Sequence, residues 1–269
     1  MVDVRNVGRA VVLGLLCVLG CSSGPKPPKI PPPGPPLRVG TFADNPPIAF
    51  RQDGQLTGID IDFARQLAPF LNRELVLVPL GREDLMPALL DGRIDVIMSG
   101  ITMPTTPRYR LTFSDPYLYT GLATLVRRSD AKLYDSPASI LNSTKPVGVA
   151  ADSDAARFAS NLSTQRLMQY PDLTSAVQAL HQGQVDLVIA EAHLLAWYAR
   201  QDPSVAGIWM LLDYNQLVWV FRVEDGATCA QTNATLDWWR QDGTLDRTLR
   251  KWLPYWPGLD FTGKPGSRR

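Results

Sequence analysis

Residues that carry covalent or metal chemistry are scarce in this sequence, which has three cysteines and two histidines among 269 residues. Cys17 and Cys21 lie near the N-terminus, so Cys229 has no cysteine partner in the rest of the chain and cannot form an intrachain disulfide there. His181 and His193 stand twelve positions apart, with no cysteine or carboxylate partner at ligand spacing. The sequence therefore predicts neither a disulfide-stabilised domain nor a metal site.

An excess of charge of one sign is also missing, since 27 Lys and Arg residues face 26 Asp and Glu residues and leave a net charge of +1. This balance excludes the basic surface that nucleic acids or anionic membranes require. No glycine-rich phosphate loop links a predicted strand to a helix, and no Gly-x-Ser-x-Gly nucleophile motif occurs, so we predict no cofactor and no catalytic residues. What remains is a chain that is 45% hydrophobic and long enough for one large domain or two smaller ones.

The N-terminus has the pattern of a signal peptide. A positively charged start precedes an apolar run about half as long as the ~20 residues that a membrane-spanning helix needs. The run ends in Val18-Leu19-Gly20-Cys21, which resembles a bacterial lipobox, where the signal peptide is cut before a cysteine that becomes lipid-modified. We therefore predict a lipoprotein signal peptide over residues 1–20 and a lipid anchor on Cys21, with the protein in the cell envelope and facing the periplasm or the exterior. An ordinary secretory signal is the alternative.

Proline dominates the next segment, with eight prolines between Pro25 and Pro36. Such a density prevents helix and sheet formation and favours a stiff polyproline II arm. We predict that residues 21–36, the lipid-anchored cysteine and a proline-rich linker, lie outside the folded domain. A disordered tail is the alternative, and it would lie outside the fold as well.

Two stretches repeat nearly the same pattern 91 residues apart, at 88–98 and 179–189. Each predicts a helix end, a glycine and then a buried strand, and Asp95 and Asp186 recur at the strand starts, where we interpret them as structural. Polar residues follow both strands. Because ligands of open α/β sheets bind beyond the carboxyl ends of strands, the repeat predicts two similar lobes that face each other across a cleft.

Alternating strand and helix patterns fill the chain beyond the linker and predict an α/β fold with mainly parallel sheets. Asp60 is a candidate cap for the helix over 61–71, and Pro87 falls in the first turn of the helix predicted over 84–90. The predicted strands cover residues 37–41, 75–78, 95–98, 121–126, 146–149, 185–189, 208–212 and 217–222. The other predicted helices cover residues 154–161, 174–182, 192–200, 228–241 and 245–252.

Short motifs follow one another along this region: Arg38-Val39-Gly40-Thr41, Gly58-Ile59-Asp60-Ile61-Asp62, Gly92-Arg93-Ile94-Asp95, Gly100-Ile101-Thr102, Phe113-Ser114-Asp115-Pro116-Tyr117, Val147-Gly148-Val149, Gly183-Gln184-Val185-Asp186 and Asp242-Gly243-Thr244. In this order and spacing they resemble the extracellular solute-binding proteins of polar amino-acid ABC transporters. The resemblance covers residues 37–257, nearly all of the chain beyond the linker.

The resemblance implies a two-lobed, type II periplasmic-binding-protein-like fold. Each lobe would be a mainly parallel sheet flanked by helices, and two hinge strands, near 123–127 and 213–219, would join the lobes. Lobe 1 would comprise residues 37–124 plus 217–257, lobe 2 residues 127–213, and residues 258–269 would form a C-terminal tail. A ligand that contacts both lobes only in the closed state would stabilise that state.

The resemblance also implies ligand-binding residues in lobe 1. Ser99, Gly100 and Thr102 match the segment that receives the α-carboxylate and part of the amine of an amino acid. Arg108 lies one residue beyond the family position of an arginine that clamps the carboxylate, and a surface arginine is the alternative. The family's aromatic stacking position matches Asn45, with Phe42 or Phe50 as possible substitutes, and Arg82 stands where a residue of the side-chain pocket is expected.

In lobe 2, Glu191 matches the acidic residue that holds the α-ammonium group, and a solvated carboxylate at a helix start is the alternative. The turn that offers hydroxyl groups in the family reads Asp152, Ser153 and Asp154 here. We expect Asp154 to cap the following helix and to repel a carboxylate. Arg82 suits an acidic ligand side chain, whereas Asp154 with Glu191 suits a basic one, so the sequence does not identify the amino acid.

The resemblance thus implies a monomeric, non-enzymatic lipoprotein that captures an amino acid or similar zwitterion and delivers it to an ABC transporter permease. Two alternatives stay open. The first is a ligand-sensing or cell-envelope interaction lipoprotein that does not transport. The second is an enzyme, because cyclohexadienyl dehydratases share this fold, but the glutamate that serves them as general acid corresponds to Ala155 or Ala156 here, and alanine cannot donate a proton.

Overall fold

The computed structural model describes residues 26–106, 110–162 and 166–254, and they form two α/β lobes. Within these ranges, no helix combines the length and the apolar character that crossing a bilayer requires. The predicted signal peptide, Cys21 and the tail over 258–269 lie outside the described residues.

The sheet of the first lobe has a parallel half and an antiparallel half. The strand over 37–41 pairs in parallel with both of its neighbours, and the strand over 215–222 runs antiparallel to the strands beside it. In spatial order the strands are β5 (Leu75–Pro79), β1 (Leu37–Thr41), β6 (Val96–Thr102), β14 (Asn215–Arg222) and β7 (Leu111–Phe113), and β8 (Leu118–Thr120) also pairs with β14.

The sheet of the second lobe repeats this arrangement. Three parallel strands are followed by one strand that is antiparallel to both of its neighbours. In spatial order they are β11 (Leu167–Tyr170), β10 (Val147–Ala150), β12 (Leu187–Glu191), β9 (Leu122–Arg127) and β13 (Val205–Ile208). β6 and β12 therefore occupy equivalent places in the two sheets, which is the structural basis of the sequence repeat.

Eight α-helices flank the sheets among the described residues: α1 (Ile59–Phe70), α2 (Arg82–Leu90), α3 (Pro137–Leu141), α4 (Asp154–Ala159), α5 (Leu173–His181), α6 (Ala192–Gln201), α7 (Gly226–Asp242) and α8 (Thr244–Trp252). Two helix starts differ from the prediction. Gly58 precedes α1, and Asp60 is fully buried inside the helix rather than capping it. Helix α2 begins earlier than predicted, so Pro87 lies in its second turn.

A small antiparallel sheet was not predicted. It consists of β2 (Asp44–Asn45), β3 (Ala49–Gln52) and β4 (Gln55–Thr57), strands too short to show a hydrophobic period. The ring of Phe50 on β3 packs edge-on against Trp197 of α6, with the ring centres 4.9 Å apart. The small sheet is thereby joined to the second lobe.

The chain passes between the two sheets at two adjacent places. Gly121 separates β8 in the first sheet from β9 in the second, and residues 209–214 lead back from β13 to β14. Residues 122–124, assigned to lobe 1 by sequence, therefore pair in the second sheet, and residues 215–216 pair in the first. The Leu212 N–H donates to the Leu122 carbonyl at 2.7 Å, so the two passages are bonded to each other.

The prediction of a strand over 208–212 is wrong, because β13 ends at Ile208, where the predicted strand begins. The apolar residues that follow alternate between two hydrophobic clusters. Trp209 and Leu211 pack against the larger cluster, which includes residues of both lobes, and Met210 and Leu212 pack against a smaller cluster in the second lobe. This passage between the lobes therefore has the period of a strand without forming one.

The described part of the proline-rich linker has no regular secondary structure and lies on the surface of the first lobe. Arg73 donates hydrogen bonds to the carbonyls of Pro35 and Pro36 at 2.6 and 2.8 Å, and the Asn72 side chain donates to the Pro31 carbonyl at 3.2 Å. Extended proline segments leave their carbonyl groups without internal partners, so they accept readily from a neighbouring surface.

Asp95 and Asp186 hold equivalent ion pairs at the starts of β6 and β12. The Asp95 carboxylate accepts from Arg38 and Arg73 at 2.6 and 3.0 Å, and Asp186 pairs with Arg127. Both carboxylates lie at the strand ends opposite Thr102 and Glu191, which agrees with a structural role.

Candidate functional site

A cavity of about 480 Å³ lies between the lobes, at the carboxyl ends of β6 and β12. Both sheets therefore contribute to one site, as the repeat predicted. The first lobe and β14 line it with Asn45, Arg82, Gly100, Ile101, Thr102, Thr120, Asn215 and Leu217. The second lobe lines it with Ala150, Ala151, Asp152, Ser153, Asp154, Arg157, Leu173, Ala190, Glu191, His193 and Leu194.

Most of the ligand-binding residues predicted from the sequence meet in this cavity, namely Asn45, Arg82, Gly100, Thr102, Ser153, Asp154 and Glu191. Phe42, Phe50 and Ser99 do not line it. Phe42 lies beneath Arg82, whose guanidinium carbon is 4.8 Å from the ring centre. Ser99 is buried, and its hydroxyl accepts the Phe42 N–H at 2.9 Å, so it supports the backbone instead of facing the cavity. Arg108 lies outside the described residues.

Gly100 lies in β6 at the cavity wall, in a backbone conformation that needs glycine. Its φ of +66° lies in the left-handed region, and a β-carbon there would press against the Asn45 amide and Ile48. The Gly100 N–H donates to the Asp60 carboxylate at 2.8 Å, so this N–H is already engaged within the protein. Thr102, two residues further on, brings its side chain to the cavity wall.

Glu191 supplies a free carboxylate to the cavity. It ends β12 and immediately precedes α6, and its carboxylate makes no hydrogen bond or ion pair with any residue that the structure describes. The next residue, Ala192, donates its N–H to the Gly121 carbonyl at 2.8 Å, which fixes Glu191 beside the passage between the lobes. The geometry leaves this charge available to a cationic group of a ligand.

The turn before α4 is arranged differently from the prediction. Ser153, and not Asp154, caps the helix, because the Ser153 hydroxyl accepts the Ala156 N–H at 3.0 Å. Asp154 is the first helical residue and pairs with Arg157 one turn later. The expected repulsion of a carboxylate by Asp154 is therefore offset by Arg157. Arg157 was not predicted as a cavity residue, although an acid and a base three positions apart in a helix predict such a pair.

His193 was not predicted as a cavity residue. It lies in the first turn of α6, retains only 4% exposure, and its Nδ1 has no hydrogen-bond partner among the described residues. Burial lowers the pKa of His193 from 6.5 to about 4, so the imidazole is neutral at pH 7. Thr120, whose hydroxyl is likewise buried without a described partner, lines the same cavity. Thr120 directly precedes Gly121, where the chain first passes between the two sheets.

Replacing His193 with leucine should make the fold more resistant to acid. The unfolded chain binds this proton below pH 6.5 and the folded chain only below about pH 4, so the neutral imidazole's contribution to stability is lost as pH falls through that window. We expect His193→Leu to be more stable than the wild type by roughly 2–3 kcal/mol at pH 4.5, with a much smaller difference at pH 7.

Urea unfolding of both proteins at the two pH values measures this difference. His181→Gln is the matched control: His181 pairs with Asp202 at 2.9 Å on the surface, and an exposed pair contributes about 1 kcal/mol or less. An unchanged pH dependence in His193→Leu would contradict the assignment of this proton to His193.

Comparison with known proteins agrees with this architecture. The profile of the family described as "Bacterial extracellular solute-binding proteins, family 3" matches residues 37–255. The cyclohexadienyl dehydratase of Pseudomonas aeruginosa is 28% identical over 226 residues, covering 82% of this chain and 84% of that protein. The L-cystine-binding protein of Escherichia coli is 25% identical over 229 residues, covering 84% of each chain.

Solved structures give the same result. An ancestral cationic amino acid solute binding protein superposes with a TM-score of 0.73 at 30% identity, covering 81% of this chain and 95% of that one. A binding component of an ABC transporter from Wolinella succinogenes, complexed with lysine, gives a TM-score of 0.70 at 25% identity with the same coverage. These matches confirm the predicted two-lobed type II fold, and the chain belongs to the bacterial extracellular solute-binding proteins of family 3.

Proposed function

We propose that this protein binds an amino acid zwitterion in the cavity between its lobes and delivers it to an ABC transporter permease. The free carboxylate of Glu191 in a cavity built from both lobes is the observation that carries the proposal. Relatives named as binding L-cystine and, in Pseudomonas aeruginosa, L-arginine support the amino acid as ligand class.

The two lobes would hold opposite ends of the ligand. Glu191 would accept the α-ammonium group in a charge-assisted hydrogen bond. The Thr102 hydroxyl and the predicted clamp Arg108 would bind the α-carboxylate, and Arg82, which has no carboxylate partner among the described residues, adds positive charge on the same lobe. Because Glu191 and these carboxylate-binding groups belong to different lobes, the ligand would stabilise the closed arrangement.

We also propose how the protein is held and organised in the cell envelope. Cys21 would carry the lipid anchor. Gly121 and residues 209–214 would form the hinge between the lobes, and the protein would act as a monomer. Genes for a permease and an ATPase beside the gene for this chain would favour delivery to a transporter over ligand sensing.

A thermal-shift panel tests the proposal directly. The chain from Ser23 onward, which retains every described residue, is heated with each of the twenty standard L-amino acids and with L-cystine. An amino acid at 100 times its dissociation constant should stabilise the fold by about 2.7 kcal/mol. Panels of sugars and dicarboxylates are the control. Stabilisation by these compounds and by no amino acid would overturn the proposal.

Dehydratase activity is the second candidate, since a dehydratase is among the relatives. Ala155 and Ala156, the positions that match the dehydratases' general acid, are buried in α4 and hold no proton to donate. We therefore expect no turnover of arogenate or prephenate in an absorbance assay. Turnover that is lost when the cavity is filled by an amino acid would favour the enzyme instead.

A further inference from the structure

A buried carboxylate outside the cavity joins three separate parts of the first lobe. Asp60 has no solvent exposure, and one oxygen accepts the Gly100 N–H at 2.8 Å and the Tyr117 hydroxyl at 3.1 Å. Its other oxygen accepts the indole N–H of Trp219 at 2.9 Å. Asp60 is therefore the common acceptor of three donors that lie far apart in the sequence.

Each donor belongs to a segment that matters for ligand capture. Gly100 lies in β6 at the cavity wall, two residues before Thr102. Tyr117 immediately precedes β8, the strand that leads to Gly121 and the first passage between the lobes. Trp219 lies on β14, the strand that receives the second passage. One side chain thus holds the Gly100 segment of β6 together with both strands that connect to the other lobe.

We propose that Asp60 is a positioning residue that holds the cavity-lining Gly100 segment of β6 in place relative to the two strands that lead to the other lobe. This role rests on the proposed function, because it concerns the same cavity. Loss of the carboxylate would free the Gly100 N–H and allow this segment to move relative to the two strands, so both the shape of the cavity and the approach of the lobes would change.

The surroundings of Asp60 make its ionisation observable. Aromatic rings enclose it: Tyr117 and Trp219 are stacked with their centres 5.1 Å apart, and Phe63 lies 5.8 and 5.7 Å from them. Burial raises the pKa of Asp60 from 3.8 to about 6, while the three hydrogen bonds oppose that rise. Among the described residues, the titratable group that faces Asp60 is the Tyr117 phenol, and burial and the Asp60 charge raise its pKa well above 10.

The test compares ligand affinity at different pH values. Wild type and Asp60→Asn are titrated by calorimetry between pH 5 and 8 with each of the twenty standard L-amino acids as probe. Wild-type affinity should fall about tenfold or more as pH drops through 6, the size expected when a charge-assisted hydrogen bond is lost. Asp60→Asn should bind more weakly by a similar factor and show no such inflection.

A milder variant covers the case in which Asp60→Asn does not fold. Tyr117→Phe removes one donor and leaves the ring in place, so the pKa of Asp60 rises further and the inflection should move to higher pH. Tyr119→Phe, two positions away and with no hydrogen bond to Asp60, is the matched control and should keep the wild-type profile. A purely structural contribution of Tyr117 would lower stability without moving the inflection.

The outcomes separate the two proposals. If the wild type binds none of the probes, the proposed function fails. If the wild type binds a probe but the inflection is absent, or stays in place in Tyr117→Phe, the positioning role of Asp60 is overturned while the proposed function stands.

Discussion

Replacement of Glu191 by glutamine is expected to raise the dissociation constant for the bound amino acid about 30-fold or more. The carboxylate lines the cavity and has no partner among the described residues, so it is free to pair with an ammonium group. Removing one member of a buried, hydrogen-bonded charge pair costs about 2–5 kcal/mol, and each 1.4 kcal/mol is a factor of ten. Glutamine keeps the size and an acceptor oxygen, so the loss reports on charge.

Calorimetry of both proteins with the amino acid that gives the largest thermal shift measures this effect. Glu224→Gln is the matched control, since the Glu224 side chain is 63% exposed and lies 3.6 Å from Arg222, away from the cavity. Its affinity should equal that of the wild type. Equal affinities in Glu191→Gln and the wild type would show that the ammonium group binds elsewhere.

Gly121→Ala should be the most destabilising of these changes. A β-carbon at Gly121 would overlap the backbone carbonyl of Asp213, so the two passages between the lobes would have to move apart. Overpacking that displaces backbone costs about 3 kcal/mol, the upper end of the usual range. For a domain of this size that lowers the melting temperature by roughly 6–12 °C. Separating the passages also strains the hydrogen bond from Leu212 to Leu122.

Differential scanning calorimetry checks this result, with Gly226→Ala as the control. No atom lies within 4 Å of a β-carbon at Gly226, which begins helix α7, so alanine there should be neutral or stabilising by up to about 1 kcal/mol. Similar melting temperatures for the two variants would mean that the passages have room to separate.

The architecture could be predicted largely from the sequence, because it arises from local strand and helix patterns repeated in two halves. The repeat at 88–98 and 179–189 placed β6 and β12 in equivalent positions and directed attention to the residues that follow them. The short strands β2 to β4 and the passage over 209–214 were not predicted correctly. Their pairing and course depend on contacts with distant parts of the chain, which no local pattern reveals.

The repeat alone predicted the site only where a residue follows one of its two strands, whereas Asn45, Arg82, Ser153 and Asp154 were predicted from the family resemblance. Glu191 and Thr102 meet this condition and line the cavity. Asp60 does not: an aspartate before an apolar helical pattern reads as a cap, and only its bond to Trp219, 159 positions away, reveals its place in the core. His193 was missed for the same reason, because its burial against the rest of α6 and the neighbouring strands is a tertiary property.

The pH dependences that Asp60 and His193 give to stability oppose each other in mild acid. On unfolding, Asp60 releases a proton between about pH 6 and 3.8, so its stabilising contribution disappears as pH rises through 6. His193 takes up a proton between 6.5 and about 4, so its contribution disappears as pH falls. The two slopes have opposite signs over almost the same interval and largely compensate. Removing either group alone would leave the slope of the other uncompensated, so the direction of the change in pH dependence identifies which group was lost.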